Sequence, residues 1–291
     1  MKNLHALLFI CVSILSTDGF AQPFIDLVNI RFSESPANTG LLNQGEQPMT
    51  MQHAVAGLNL PVPLNKQQTD ALLILPYVEQ WKIQLPGKSA TLHGLGIPVG
   101  IQKTITANWR VNAILFYRIN TATDLPAQIN KKHQWGTAII ANYIKKETLI
   151  YKFGIYYNRE FYGNFFMPLL GLDWQINSRN AIFGTLPGAI SWESKLNKKF
   201  SYGANFRAIT NSYRYVVDGQ PGYMSIDENQ LGAYADYYLG KHLVLNAEIG
   251  HSLFRKVRTG LQDQKRSKAR LESAQDNLYI RVMAAYRLRF R

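Results

Sequence analysis

The segment LYIRVMAAYRLRF, residues 278–290, decides the fold. Successive side chains of an extended chain point to opposite faces. Leu278, Ile280, Val282, Ala284, Tyr286, Leu288 and Phe290 therefore share one face, and Tyr279, Arg281, Met283, Ala285, Arg287 and Arg289 share the other. The first face is wholly apolar, while the second carries three arginines beside small and aromatic groups. A strand of a soluble sandwich rarely joins two such faces. A strand that separates hydrocarbon from a water-filled lumen needs both.

The same period of two recurs upstream. Apolar residues at 109–117, 149–157, 200–208, 231–239 and 243–249 alternate with small or polar ones, each run bounded by turn residues. Short breaks fall near 65–68, 106–108, 145–147, 177–179, 197–198 and 240–241. Long ones are expected near 33–48, 85–93, 121–133, 216–229 and 257–276, and smaller breaks fall at 161–164 and 187–188. Long and short breaks alternate down the chain, as outer loops and periplasmic turns do in a membrane barrel. The expectation is an all-β chain: a transmembrane, antiparallel, up-and-down β-barrel of about 14 strands, even as single-chain bacterial barrels require. That count takes Pro187–Gly188 as a tight outer hairpin, with 12 strands as the alternative. A periplasmic β-sandwich is the competing soluble fold, and the regular alternation of turn lengths argues against it.

Residues 1–21, MKNLHALLFICVSILSTDGFA, read as a cleaved export signal. Lys2 precedes an apolar core from Leu4 to Leu15, and Gly19 and Ala21 are the small residues before the cut. The core is shorter than the roughly 18 residues of a membrane-spanning helix. Cys11, the one cysteine, lies inside it. Residues 22–291 then form a single outer-membrane barrel domain of an exported protein of a Gram-negative bacterium. A hydrophobic content of 46% excludes a disordered chain, and one cysteine excludes a disulfide scaffold or a cysteine zinc site.

With signal, strand pattern and C-terminal aromatic in place, the chain resembles outer-membrane β-barrels of the type common in Bacteroidetes. FFMPLLGLDW at 165–174, IFGTLPG at 182–188 and NFRAITNSYR at 205–214 resemble a barrel family of that group whose function is not established. The resemblance implies fold and location and assigns no active residue. Tyr286, Leu288 and Phe290 are similar to the C-terminal assembly signal of such barrels, which implies the barrel-assembly machinery as a partner.

The sequence offers little catalytic chemistry. Gly94, Gly96 and Gly100 depart from G-x-G-x-x-G spacing and precede no helix, so they read as lumen-face glycines. None of His5, His53, His93, His133, His242 and His251 has Ser or Thr two residues on, the spacing of barrel lipid hydrolases, although a serine on another strand is a separate possibility. No metal-ligand spacing or cofactor motif is present, and no enzymatic activity is expected.

The informative residues are charges on the lumen faces: Arg110, Arg118, Lys152, Arg207, Asp236, Glu248, Arg281 and Arg287. On the last four strands they run basic, acidic, acidic, basic. That order suits either a ladder of ion pairs filling the lumen or a charged constriction that selects solutes. With 32 Lys+Arg against 19 Asp+Glu the chain carries +13, and the excess arginine tilts an open lumen toward anions. Export and dispersed charge argue against nucleic acid. Outer-membrane lipid and lipopolysaccharide are the expected surroundings. The basic stretch at 258–276, with Arg258, Lys265, Arg266, Lys268 and Arg270, is expected to be a solvated loop with a short Lys268–Glu272 helix, or else a contact for lipid phosphates. Two function classes follow: a passive or weakly selective pore for small polar or anionic solutes, and a filled barrel working through Tyr-packed walls (Tyr156, Tyr234, Tyr238, Tyr279) and its loops. Residues 22–291 are too few for a barrel plus a large plug domain, which excludes energised uptake of that kind.

Overall fold

A computed structural model describes residues 22–36, 49–123, 125 and 132–290. The expected signal peptide, Cys11 and residues 37–48 of the expected 33–48 connection lie outside the described residues. The chain forms a closed antiparallel barrel of 14 strands. They are β1 (Phe24–Ser35), β2 (Thr50–Leu58, continued as Leu60–Pro63), β3 (Ala71–Ile74, continued as Tyr77–Leu85), β4 (Lys88–Thr106), β5 (Trp109–Ala122), β6 (His133–Lys146) and β7 (Leu149–Glu160). They continue as β8 (Gly163–Gln175), β9 (Asn180–Leu186), β10 (Ala189–Lys195), β11 (Phe200–Val217), β12 (Gln220–Leu239), β13 (Leu243–Leu261) and β14 (Arg270–Ser273, continued as Leu278–Arg289). Each pairs with its chain neighbour, and β14 closes on β1 from Phe24↔Arg289 to Glu34↔Ile280. Both described ends of the chain lie at one rim, the terminal end; the other rim is the loop end.

The outward residues of the lower barrel are large and apolar, among them Ile30, Leu115, Phe153, Phe166, Leu231, Ile249 and Ile280, all exposed. A belt of this kind is stable only when hydrocarbon covers it. Toward the loop end the polarity reverses. On β3 Lys82 and Gln84 face out while Trp81, Ile83 and Leu85 are buried inside, and on β13 Lys256 and Arg258 flank the buried Val257. Here the outer face meets water, so the inner face gathers the apolar side chains. Met49, Met51, Trp81, Ile83, Leu92, Tyr213, Met224, Ile226 and Val257 form one core, closing the loop end with a stopper of side chains.

Several connections expected to be long are strands instead. β3 turns into β4 through Pro86–Gly87, and β11 into β12 through Asp218–Gly219, where Gly87 and Gly219 take the positive φ such turns demand. Strands of 18 to 20 residues at β11, β12 and β13 exceed the roughly 9–11 a membrane needs. The excess, stabilised by the loop-end core, reads as polar loop in a sequence scan. The 257–276 stretch contains a single 3-10 turn, Arg266–Lys268, followed by strand at Arg270–Ser273, so the expected Lys268–Glu272 helix does not form.

The hairpin β9–β10 departs from the rest. Its strands are seven residues each. Above its tip β11 leaves the wall, turns inward and meets β5 in a parallel bridge, Arg214↔Thr121. Side chains satisfy part of the backbone of β11 there: Ser212 N–H donates to Glu160 (3.0 Å), and its carbonyl accepts from Asn120 Nδ2 (3.1 Å).

Candidate functional site: the lumen

Carboxylates on the inward faces act as hubs. Glu248 on β13 is fully buried and accepts from both guanidinium nitrogens of Arg207 (2.9 and 3.0 Å), from Asn205 (2.7 Å), from Tyr279 Oη (2.5 Å) and from Arg281. Arg287 on β14 joins Asp26 (2.5 Å) across the β1–β14 seam, reaches Asp236 (2.6 Å) and lies 3.5 Å over the Phe24 ring. Arg289 binds Glu193 (3.0 Å) and donates to Tyr238 Oη (2.7 Å). Lys152 pairs with Asp173 at 2.6 Å.

Toward the loop end, Glu160 at the end of β7 collects Arg118 (2.9 Å), Gln134 (2.9 Å), Asn158 and Ser212. Arg118 also donates to Asn211 (2.8 Å), which together with Tyr213 Oη (2.7 Å) binds Glu79. Glu79 faces His53 at 2.9 Å, and the imidazole stacks on Trp81 at 3.6 Å. Gly94 and Gly96 on β4 leave the room that Glu79 and Tyr77 occupy, since a Cβ would stand 2.7 Å from Glu79 and 2.2 Å from the Tyr77 ring. Glu228 pairs with Arg255 (2.5 Å), both almost wholly buried. A buried charge is tolerated only when partnered, and these networks meet that condition.

Two inward arginines have no such partner. Arg31 on β1 makes no ion pair or hydrogen bond among the described residues. It borders a mid-lumen cavity of about 300 Å³ with His53, Tyr77, Glu79 and Asn211, and a second cavity of about 370 Å³ with Asp26 and Asn59. Arg110 on β5, with its Nε buried and unbonded, lines a cavity of about 230 Å³ near the terminal end with Gln102, Asn112, Asn142 and Lys152. Arg31 thus borders cavities lined by amide groups and by the Glu79 and Asp26 carboxylates, and Arg110 one lined by amide groups and the Lys152–Asp173 pair.

All eight sequence-predicted charges lie on inward faces. Glu248 unites Arg207 with Arg281, while Asp236 pairs with Arg287 instead of either. Arg118 and Lys152 find Glu160 and Asp173, and Arg110 stays free. Tyr234, Tyr238 and Tyr279 are buried inward. Missed by sequence reading were Arg31, His53, Glu79, Glu160, Glu228 and Arg255. The run YVEQWKIQL at 77–85 carries the period of two that marks Glu79, but its polarity is reversed. Ser33 stands opposite His53 in the β1–β2 register, although the imidazole's bond goes to Glu79.

In the basic stretch, Arg258 and Arg266 pair with Asp227 (2.5 and 2.8 Å), and Arg270 with Glu272 (2.8 Å). Burial pushes the Glu272 carboxyl up, but bonds from Lys88, Thr259 and Arg270 outweigh it and hold the group below the usual carboxylate range.

At the chain's end, Leu288 and Phe290 pack on Leu27 with Tyr286 alongside.

Among solved structures the chain is similar to the COG4313 outer membrane channel from Pseudomonas putida F1, at 10% identity over 94% of this chain and 98% of that one, TM-score 0.47. It is also similar to the translocator domain of the autotransporter NalP from Neisseria meningitidis, at 13% identity over 99% and 96%, TM-score 0.40. A third is a deletion mutant of the TodX monoaromatic hydrocarbon channel, at 10% identity over 93% and 91%, TM-score 0.40. No curated protein matches the chain. Residues 87–290 match a domain of unknown function, DUF6268.

Proposed function

The chain belongs to the DUF6268 family, and we propose that it is an outer-membrane channel for small polar solutes, anions preferred, whose lumen is held shut at its loop end. The observation that carries this reading is the pair Arg31 and Arg110. Arg118, Lys152, Arg207, Arg255, Arg281, Arg287 and Arg289 are matched by carboxylates, whereas among the described residues these two make no ion pair, and each lines a cavity. A guanidinium between low-dielectric walls attracts anions far more strongly than one in bulk water.

The closed wall, the apolar belt and the even strand number support a location in the outer membrane of a Gram-negative bacterium. Its terminal end then faces the periplasm, outer-membrane lipid covers the belt, and lipopolysaccharide borders the loop end. Tyr286, Leu288 and Phe290 serve as the mark read by the assembly machinery. We assign no catalytic residue.

The test is single-channel recording of the purified protein in a planar bilayer under a salt gradient. Brief, small steps with an anion-selective reversal potential are expected, because the stopper limits opening. Arg31→Glu and Arg110→Glu should each move the reversal potential toward cation selectivity, and the double variant should invert it. A second reading rests on the same stopper: a permanently filled barrel that works through its outer surface. Stable insertion without any conductance step would establish that reading in place of the channel.

A further inference from the structure

Part of the lumen is aliphatic where a passage for water would not be. Leu73 on β3, Ile140 and Ile144 on β6 and Ile150 on β7 face inward near the terminal end, with Pro61 and Pro63 of β2 beside them. They lie apart from the loop-end core. The hydrocarbon of the bilayer is on the far side of the wall, so these groups gain only from an apolar partner inside it. Together they line one side of the cavity of about 230 Å³ that Arg110 borders.

The other side of this chamber is polar and is built by register. Arg110 stands opposite Asn142, and Asn112 stands between Gln102 of β4 and Ile140 of β6, so guanidinium and amides form one patch directly against the isoleucines. Two carboxylates act on this patch, and both are engaged. Asp173 holds Lys152 at 2.6 Å, while Asp70 holds Lys103 at 2.5 Å and the Thr104 N–H at 2.9 Å. Arg110 makes no ion pair among the described residues and so leaves one positive charge in excess beside an aliphatic wall. Gln22 and Gln68 line the chamber at the terminal rim, so a solute reaches it from that end with the stopper shut.

A solute that satisfies both sides carries an anionic head on a short aliphatic tail. Roughly 150 Å³ suffices for a benzene ring, so this chamber takes a chain of about six carbons with its carboxylate. A guanidinium meets a carboxylate through paired N–H donors. Each methylene that leaves water against the isoleucines tightens binding about fourfold. An inorganic anion would use the head site alone and leave the wall uncovered.

We propose that this chamber binds short aliphatic monocarboxylates, the solute class of the channel. The proposal rests on the channel reading for the role of Arg110, but its test needs no conductance.

The test is isothermal titration calorimetry on the purified protein in lipid nanodiscs, with empty nanodiscs as the blank and hexanoate, acetate and hexylammonium as probes. Hexanoate is expected to saturate one site. Acetate should bind at least tenfold more weakly, a factor that burial of about two of the four extra methylenes supplies, and hexylammonium should be weaker by as much. Arg110→Glu should reverse the choice between hexanoate and hexylammonium, and Ile140→Asn should weaken hexanoate at least fourfold with acetate unchanged. Should the charge reversal not assemble, Arg110→Gln is expected to lose hexanoate without gaining hexylammonium; heat-dependent migration on a gel identifies the folded variants. Hexanoate no tighter than acetate, or hexanoate binding that neither Arg110→Gln nor Ile140→Asn alters, overturns the proposal. Selective hexanoate binding by a protein without conductance steps would remove the channel and keep the site. Anion-selective steps without hexanoate binding would keep the channel and remove the site.

Discussion

A single carboxylate organises the lower lumen, and its neutralisation should be costly. Glu248 holds two arginines, a tyrosine and an asparagine. Glu248→Gln keeps the shape but leaves Arg207 and Arg281 without a counter-charge. Breaking a buried pair in this way costs about 3–5 kcal/mol, so the urea midpoint of the assembled barrel should fall, and fall further than for Arg281→Leu, which leaves Arg207 and Glu248 matched. The sequence placed Arg207, Asp236, Glu248 and Arg281 on lumen faces because parity within a strand is readable residue by residue. Their partners were not readable, because pairing depends on register between strands. Arg287 shows the limit most plainly, since Asp26 stands opposite it only because the first strand closes on the last.

Elements were legible where the period of two runs unbroken and hidden where it slips. β13 alternates cleanly from Leu243 to Gly250; then Phe254 takes a φ of 56°, its N–H and that of Arg255 both held by Asp276. The bulge moves the inward positions from even to odd numbers, which turns Arg255 and Val257 into the barrel. No composition cue marks that slip, and so the Glu228–Arg255 pair was out of reach. The β10–β11 contact offers a test of how tightly such elements are packed. A Cβ on Gly203 would stand 2.0 Å from the Trp192 carbonyl and 2.8 Å from the Tyr234 ring. Backbone cannot yield as a long side chain does, so Gly203→Ala should destabilise by about 1–3 kcal/mol, read as a lower temperature at which the folded form converts to the slower-migrating unfolded one on a gel.

For the molecule as a whole, strand number and closure were legible from turn spacing, since a tight Pro187–Gly188 hairpin gives an even count. The stopper was not, because its strands near 85–93 and 216–229 carry Gly, Pro and polar groups that read as loops while only every second residue faces the core. Trp81 is the keystone of that stopper, buried and stacked on His53. Trp81→Ala should lengthen open times and raise conductance in bilayer recordings, at a stability cost of about 3–5 kcal/mol. The hairpins at Pro86–Gly87 and Asp218–Gly219 have a consequence beyond permeation. An antibody or a phage tail fibre that reaches them meets short, stiff ridges with a packed interior beneath. Escape from such a binder must come by exchanging exposed side chains such as Lys82 and Gln84, because an inserted residue in these ridges would shift the strand register and disturb the core that shuts the barrel.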